Sequence, residues 1–161
     1  MKTALLLAAA VAALSFSCGV YTFSPSAAGG IKTIAIPLPE NQTTEYGLPE
    51  LLSRELSQVF VADNTIKVVP EAGAEGKLEV IITRYSRDAY TFSAGEQVQE
   101  YSCKIDIKAR LLNVKSDKVV WSENLSDFGI YSSSSETEED GKLRAIEKLV
   151  NQVLNKTVKG W

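Results

Sequence analysis

EYSCKIDIKARL, residues 100–111, is the stretch from which the rest of the chain can be placed. Its odd positions are Tyr101, Cys103, Ile105, Ile107, Ala109 and Leu111; its even positions are Glu100, Ser102, Lys104, Asp106, Lys108 and Arg110. Successive side chains of a strand point to opposite faces, so this alternation predicts a β-strand with one buried and one wet face. Cys103 falls on the apolar side, where a thiol serves as a small hydrophobe. The sheet holding this strand is therefore covered on one face and open on the other.

The flanking segments supply the rest of the sheet. KLEVIITRYS (77–86) reads as a strand, joined by RDAYTFSAGEQVQ (87–99) into a long hairpin. NVKSDK (113–118) is a turn, and VVWSENLSDFGIY (119–131) a further strand with a bend near Asn124 to Asp127. Upstream, IKTIAI (31–36) is a β-branched strand stopped by Pro37, TIKVV (65–69) is a short strand, and EAGAEGK (71–77) is a loop.

Two segments repeat at helical spacing instead. In 48–63, Leu48, Leu51, Leu52, Leu56, Val59 and Phe60 share a face, with Thr43 or Thr44 available as a cap and Pro49 tolerable in the first turn. In the C-terminal segment Leu143, Ile146, Leu149, Val150, Val153, Leu154 and Val158 do the same. The serines 132–135 offer caps. Glu136, Glu138, Glu139 and Asp140 gather at the start of this helix, and Lys148, Lys156 and Lys159 lie toward its end, the polarity a helix dipole favours. The expected order is β-α-β-β-β-β-α, an α+β domain with two amphipathic helices on one face of a mixed, mostly antiparallel sheet. Lys104, Asp106, Lys108 and Arg110 then face water or a polar partner.

Composition removes several functions. The 161 residues suit one domain, and a net charge of −3 gives no reason to expect nucleic-acid binding. There is no histidine, hence no His-containing triad or His metal site, and two cysteines cannot make a Cys-rich zinc site. No phosphate loop, GxSxG or Gly-rich dinucleotide turn occurs. The acids 138–140 read as charges at a helix start rather than as an acid–base pair. The expectation is a binding or assembly protein, not an enzyme, with no cofactor and no metal.

The N-terminus carries a processing signal. Met1-Lys2 precedes an apolar run to Phe16 that is short for a membrane-spanning helix. Ser17-Cys18-Gly19 then resembles a bacterial lipobox, in which the cysteine thiol is diacylated and becomes the new N-terminus. Several acyl chains on one residue give the durable anchoring that a single chain does not. The competing reading is a plain signal peptide with Cys18 bonded to Cys103, which the placement of Cys103 on a buried strand face opposes. The division is then 1–17 lipoprotein signal peptide, 18–30 lipidated tether and 31–161 the domain. Tyr21 and Phe23 in the tether either sit at the lipid interface or pack on the domain.

Three segments resemble a known family. GIKTIAIPLPENQTTEYGL (30–48) is similar to the opening strand and helix start of the lipopolysaccharide-assembly lipoproteins LptE, NVKSDKVVW (113–121) to their strand turn and NKTVKGW (155–161) to their closing helix. Pro39 departs from the pattern, standing where an aromatic is usual. The resemblance implies a lipoprotein of the outer membrane, on its periplasmic side. It further implies a partner, an LptD-type β-barrel that the protein plugs and helps to assemble, and a part in exporting lipopolysaccharide. A barrel lumen is polar and lipopolysaccharide carries phosphates, so Arg84, Arg87, Lys104, Lys108 and Arg110 become candidate contacts. Curli-secretion-like lipoproteins and activators of peptidoglycan synthases open with similar strands and form the alternative, one that binds protein or cell-wall partners.

Overall fold

The computed structural model describes residues 30–159, which form one mixed sheet and two helices. In chain order the elements are β1 (Thr33–Ala35), β2 (Glu40–Asn41), α1 (Leu48–Asp63), β3 (Lys67–Val68), β4 (Gly76–Phe92), β5 (Val98–Asn113), β6 (Lys118–Ser132) and α2 (Glu138–Lys159). The sheet order is β3-β1-β4-β5-β6. β1 runs parallel to both its neighbours, whereas β4, β5 and β6 form a long antiparallel meander. The expected α+β architecture is present.

Several details differ from the sequence reading. β2 is an extra strand that pairs with β4 at Ile81 and Ile82, after β1 has paired with its start. Pro37 and Pro39 lack the N–H that a continuous ladder needs, so the pairing lapses and resumes past them. The segment 87–99 is mostly strand, because RDAYTF contains β-formers and no breaker, and only 93–97 is left to turn. β6 pairs without a break through Asn124 to Asp127; its irregularity lies at Val120 instead. Gly47, in the left-handed region at φ 77°, precedes α1, while Thr43 closes the preceding loop by hydrogen bonds with Asn41 and Glu45. Thr137 and Asp140 bond reciprocally at the head of α2, the role expected of the serine run.

The core lies between the helices and the odd-numbered face of β5. Leu48, Leu52, Leu56 and Phe60 from α1 meet Leu78 and Ile82 of β4, Ile105, Ile107 and Leu111 of β5, and Ile146, Leu149 and Val153 of α2. The helix comes closest to the sheet where Gly141 of α2 passes Gly129 of β6. A Cβ on Gly129 would stand 2.1 Å from the Gly141 carbonyl oxygen.

β6 is an edge strand, and α2 seals part of it. Lys148 Nζ donates to the Phe128 carbonyl and Arg144 to that of Ile130, each at 2.6 Å. The Phe128 amide donates to Asp127 Oδ1 and the Ser132 amide to Glu136 Oε2. In an antiparallel ladder alternate residues turn their polar groups outward. Ser122, Asn124 and Ser126 share this outward phase, and no backbone partner beyond β5 occurs for them among the described residues.

Candidate functional site

The open face of β4-β5-β6 carries four of the five basic residues singled out in the sequence. Lys104, Lys108 and Arg110 are exposed on alternate positions of β5. A bulge at Thr83 shifts β4 by one residue and sets Arg84 opposite Asp106, so Arg84 joins the same face. Lys104 and Lys108 stand about 13 Å apart at strand rise, with Arg84 beside the midpoint on the next strand.

Their electrostatic states differ. Arg110 is committed to Glu79 at 2.6 Å, and Lys77 approaches the same carboxylate at 3.4 Å. Burial tends to raise the Glu79 pKa, but the hydrogen bonds from Arg110 and Lys77 outweigh it and hold the carboxyl below its ordinary range. Arg84, Lys104 and Lys108 enter no ion pair among the described residues. Asp106 accepts a hydrogen bond from Ser126 Oγ at 2.5 Å.

Arg87 lies elsewhere. Its Cα pairs with Cys103, on the helix side of the sheet. The guanidinium packs 3.9 Å from the centre of the Tyr101 ring, donates to the Tyr131 hydroxyl, and lies 3.4 Å from Glu138. The structure therefore separates Arg87 from the other four.

Two features beside the basic strip carry no obvious signal in the sequence. Tyr90, pushed outward by a second bulge, pairs with Phe128 across β5 at 6.1 Å between ring centres, and both are exposed. Beyond them, at the β4–β5 turn, lies an open depression of about 660 Å³ lined by Thr91, Ser93, Gln97, Gln99, Glu100 and serines 132–134. The face thus grades from cations through aromatic rings to hydroxyls and amides.

A second polar cluster sits behind the sheet. Lys142 is buried, yet it binds Glu139 at 3.0 Å, Glu138 at 3.4 Å and also Glu45. Burial opposes its charge, but hydrogen bonds to Glu45 and Glu139 prevail and raise its pKa above the ordinary lysine value. Glu138 accepts a 2.6 Å hydrogen bond from Tyr85, which, with Lys142 and Arg87, holds its carboxyl below the usual range. Cys103 Sγ lies 3.4 Å from the Tyr85 hydroxyl, and burial pushes its thiol pKa up, the reverse of what a nucleophile needs.

Similarity to known proteins bears on the whole domain. The family model described as "Lipopolysaccharide-assembly", LptE, matches residues 31–157. Among solved structures, a Xanthomonas campestris protein superposes with a TM-score of 0.58 at 16% identity, covering 80% of this chain and 85% of its own. A Chlamydia trachomatis protein gives 0.57 at 12% identity, covering 80% and 96%. The uncharacterized lipoprotein B of Nitrosomonas europaea gives 0.52 at 16% identity, covering 80% and 83%. At such identities these likenesses establish the fold alone. No curated protein matches the chain. With the family model spanning nearly the entire described domain, the chain belongs to the LptE family of lipopolysaccharide-assembly lipoproteins.

Proposed function

We propose that this protein is an outer-membrane lipoprotein, anchored through Cys18, that helps assemble and plugs an LptD-type β-barrel and takes part in carrying lipopolysaccharide to the cell surface. It acts by binding, without catalysis. The observation that carries this reading is the open sheet face, where Arg84, Lys104 and Lys108 surround Asp106 and enter no ion pair among the described residues. A barrel lumen is itself polar, so a plug can present such a face to it without burying bare apolar area.

Lipopolysaccharide combines phosphates with sugars. The three cations suit the phosphates, since ammonium and guanidinium groups form charge-assisted hydrogen bonds with phosphate oxygens. The hydroxyl- and amide-lined depression beyond Tyr90 offers the matching groups for sugar hydroxyls. Arg110 and Arg87, already paired with Glu79 and Glu138, contribute less to such binding.

Affinity capture of the protein from mildly solubilised outer membranes should recover a large β-barrel. Recovery of a peptidoglycan synthase in its place would move the protein to the alternative envelope role. For the face itself, Arg84→Glu with Lys104→Glu should weaken lipopolysaccharide binding about 10- to 100-fold, the loss of one or two charge-assisted contacts. Titration with purified lipopolysaccharide checks this, and an unchanged affinity would return both residues to plain solvent exposure.

A further inference from the structure

The two ends of the sheet carry opposite charge. Pairing sets Lys67 of β3 beside Thr33 of β1, and Gly76 of β4 beside both Ile34 and Asn113, which in turn meets Lys118 of β6. One end therefore gathers Lys32, Lys67, Lys115 and Lys118, all exposed. α2 descends along β6, with Arg144 at Ile130 and Lys156 at Glu123, and brings exposed Lys159 to the same end. The acids there are Asp63, Glu75 and Asp117, and Glu75 is held by Lys115 at 3.0 Å and by the Lys32 amide at 2.9 Å. Lys32, Lys67, Lys118 and Lys159 enter no ion pair among the described residues. The other end holds Glu96, Glu100, Glu136, Glu139 and Asp140, and neither 88–103 nor 132–141 contains a lysine or arginine.

Three valines stand uncovered among the lysines. Val114 and Val119 flank the β5–β6 turn and are half exposed, and Val61, in the last turn of α1, is 65% exposed. We infer that this end of the domain is a docking surface for a bilayer that carries anionic phospholipid. Lysine stems and valines suit the boundary between headgroups and acyl chains, while the ammonium groups reach the phosphates. Each lysine near such a surface favours contact by roughly 5-fold. The acids of the opposite end turn that end away from the same surface.

The inference rests on the anchoring of Cys18 proposed above, and the reach of the chain agrees with it. β1 starts at the basic end, and residues 18–30 span at most about 40 Å by any path. β5 alone rises about 50 Å from Asn113 to Val98. An anchor at Cys18 is thus too short to let the domain stand inverted on its acidic end. Docked by the basic end, the sheet stands upright and its open face stays free to one side. A second copy is a poorer occupant, because end-to-end contact would oppose two lysine-rich surfaces.

The acylated full chain in vesicles of phosphatidylethanolamine and phosphatidylglycerol tests the assignment. A fluorophore is placed on Ser116→Cys in the β5–β6 turn, or on Gly95→Cys at the opposite end, with a nitroxide-bearing phospholipid as quencher. Cys103 is buried, and an acylated Cys18 has no free thiol to take the label. The label at 116 should be quenched and the label at 95 should not. Lys115→Glu with Lys118→Glu should lose most of the quenching at 116, whereas Lys115→Arg with Lys118→Arg should keep it. Equal quenching at both sites, or none at 116 in protein that floats with the vesicles, overturns the inference and leaves the anchor standing. Energy transfer between labels at 116 on two copies, in place of quenching, overturns it in favour of self-association. Protein that does not float with the vesicles removes the anchor, and the inference with it. No outcome requires lipopolysaccharide or a barrel.

Discussion

Gly129→Ala is expected to cost about 3 kcal/mol and to lower Tm by about 10–15 °C for a domain of this size. The added methyl would stand 2.1 Å from the Gly141 carbonyl oxygen, 2.7 Å from Arg144 Cβ and 2.8 Å from the Ala145 nitrogen. Two of those neighbours are backbone and cannot rotate away. Relief requires α2 to lift from β6, which also withdraws Arg144 and Lys148 from the edge carbonyls they cap. Thermal unfolding monitored by circular dichroism measures the loss. Gly95→Ala, where the nearest atom is a serine oxygen at 3.9 Å, is the matched control and should stay within about 0.5 kcal/mol of the parent.

Lys142→Met should destabilise by about 2–4 kcal/mol, somewhat below the roughly 3–5 kcal/mol for removing one partner of a fully buried pair, because the glutamates it holds are partly exposed. The ammonium gathers Glu45, Glu138 and Glu139, and so fastens the loop before α1 to the head of α2. Glu139 is mostly exposed and can turn to water, but Glu45 and Glu138 are about two-thirds covered and remain as neighbouring negative charges. The pH dependence identifies the cause. Glu138 titrates below its unfolded value, so its contribution is complete above about pH 5 and disappears as pH falls through the folded pKa. Lys142 titrates above its unfolded value, so its contribution holds below about pH 10 and disappears only as pH rises through the folded pKa. The parent therefore loses stability on acidification from pH 5. The gap between parent and variant narrows over the same interval, because protonated carboxyls no longer need the lysine. A penalty independent of pH in denaturant titrations would assign the effect to lost packing instead.

The alternation in 100–111 made the two faces of the sheet legible, and with them the burial of Cys103 and the exposure of Lys104, Lys108 and Arg110. The residues of β4 were harder to place, since the bulges at Thr83 and Tyr90 reverse the facing of everything after them. A bulge is set by pairing with the neighbouring strand, and no residue of RYSRDAY announces it. Arg84 and Arg87, three residues apart with no bulge between them, face opposite sides by strand alternation alone, and the bulge at Thr83 decides that Arg84 is the one on the open face.

Lys142 escaped notice for a different reason. It borders the apolar stripe of α2, a position where a lysine ordinarily lays its stem on the surface and keeps its head in water. Here Glu138 and Glu139 stand one turn earlier and Glu45 arrives from a distant loop, so the head is held inside. The acids one turn earlier were a usable local signal; Glu45 was not, because it is 97 residues away. Gly129 offered a clearer hint, for a glycine within an otherwise β-forming run commonly marks close approach of another backbone.

The position of β1 between β3 and β4 also orders the assembly of the domain in time. β4, β5 and β6 follow one another with turns of five residues or fewer, and α2 follows at once, so their contacts close small loops. β1 is made first, yet its pairing with Gly76 waits until more than forty further residues exist. The meander and α2 can thus collapse into a platform whose β4 edge is still unpaired, and β1 docks there late with β3 alongside. A three-residue strand exposes little while it waits, which limits the aggregation that a longer orphan strand would invite.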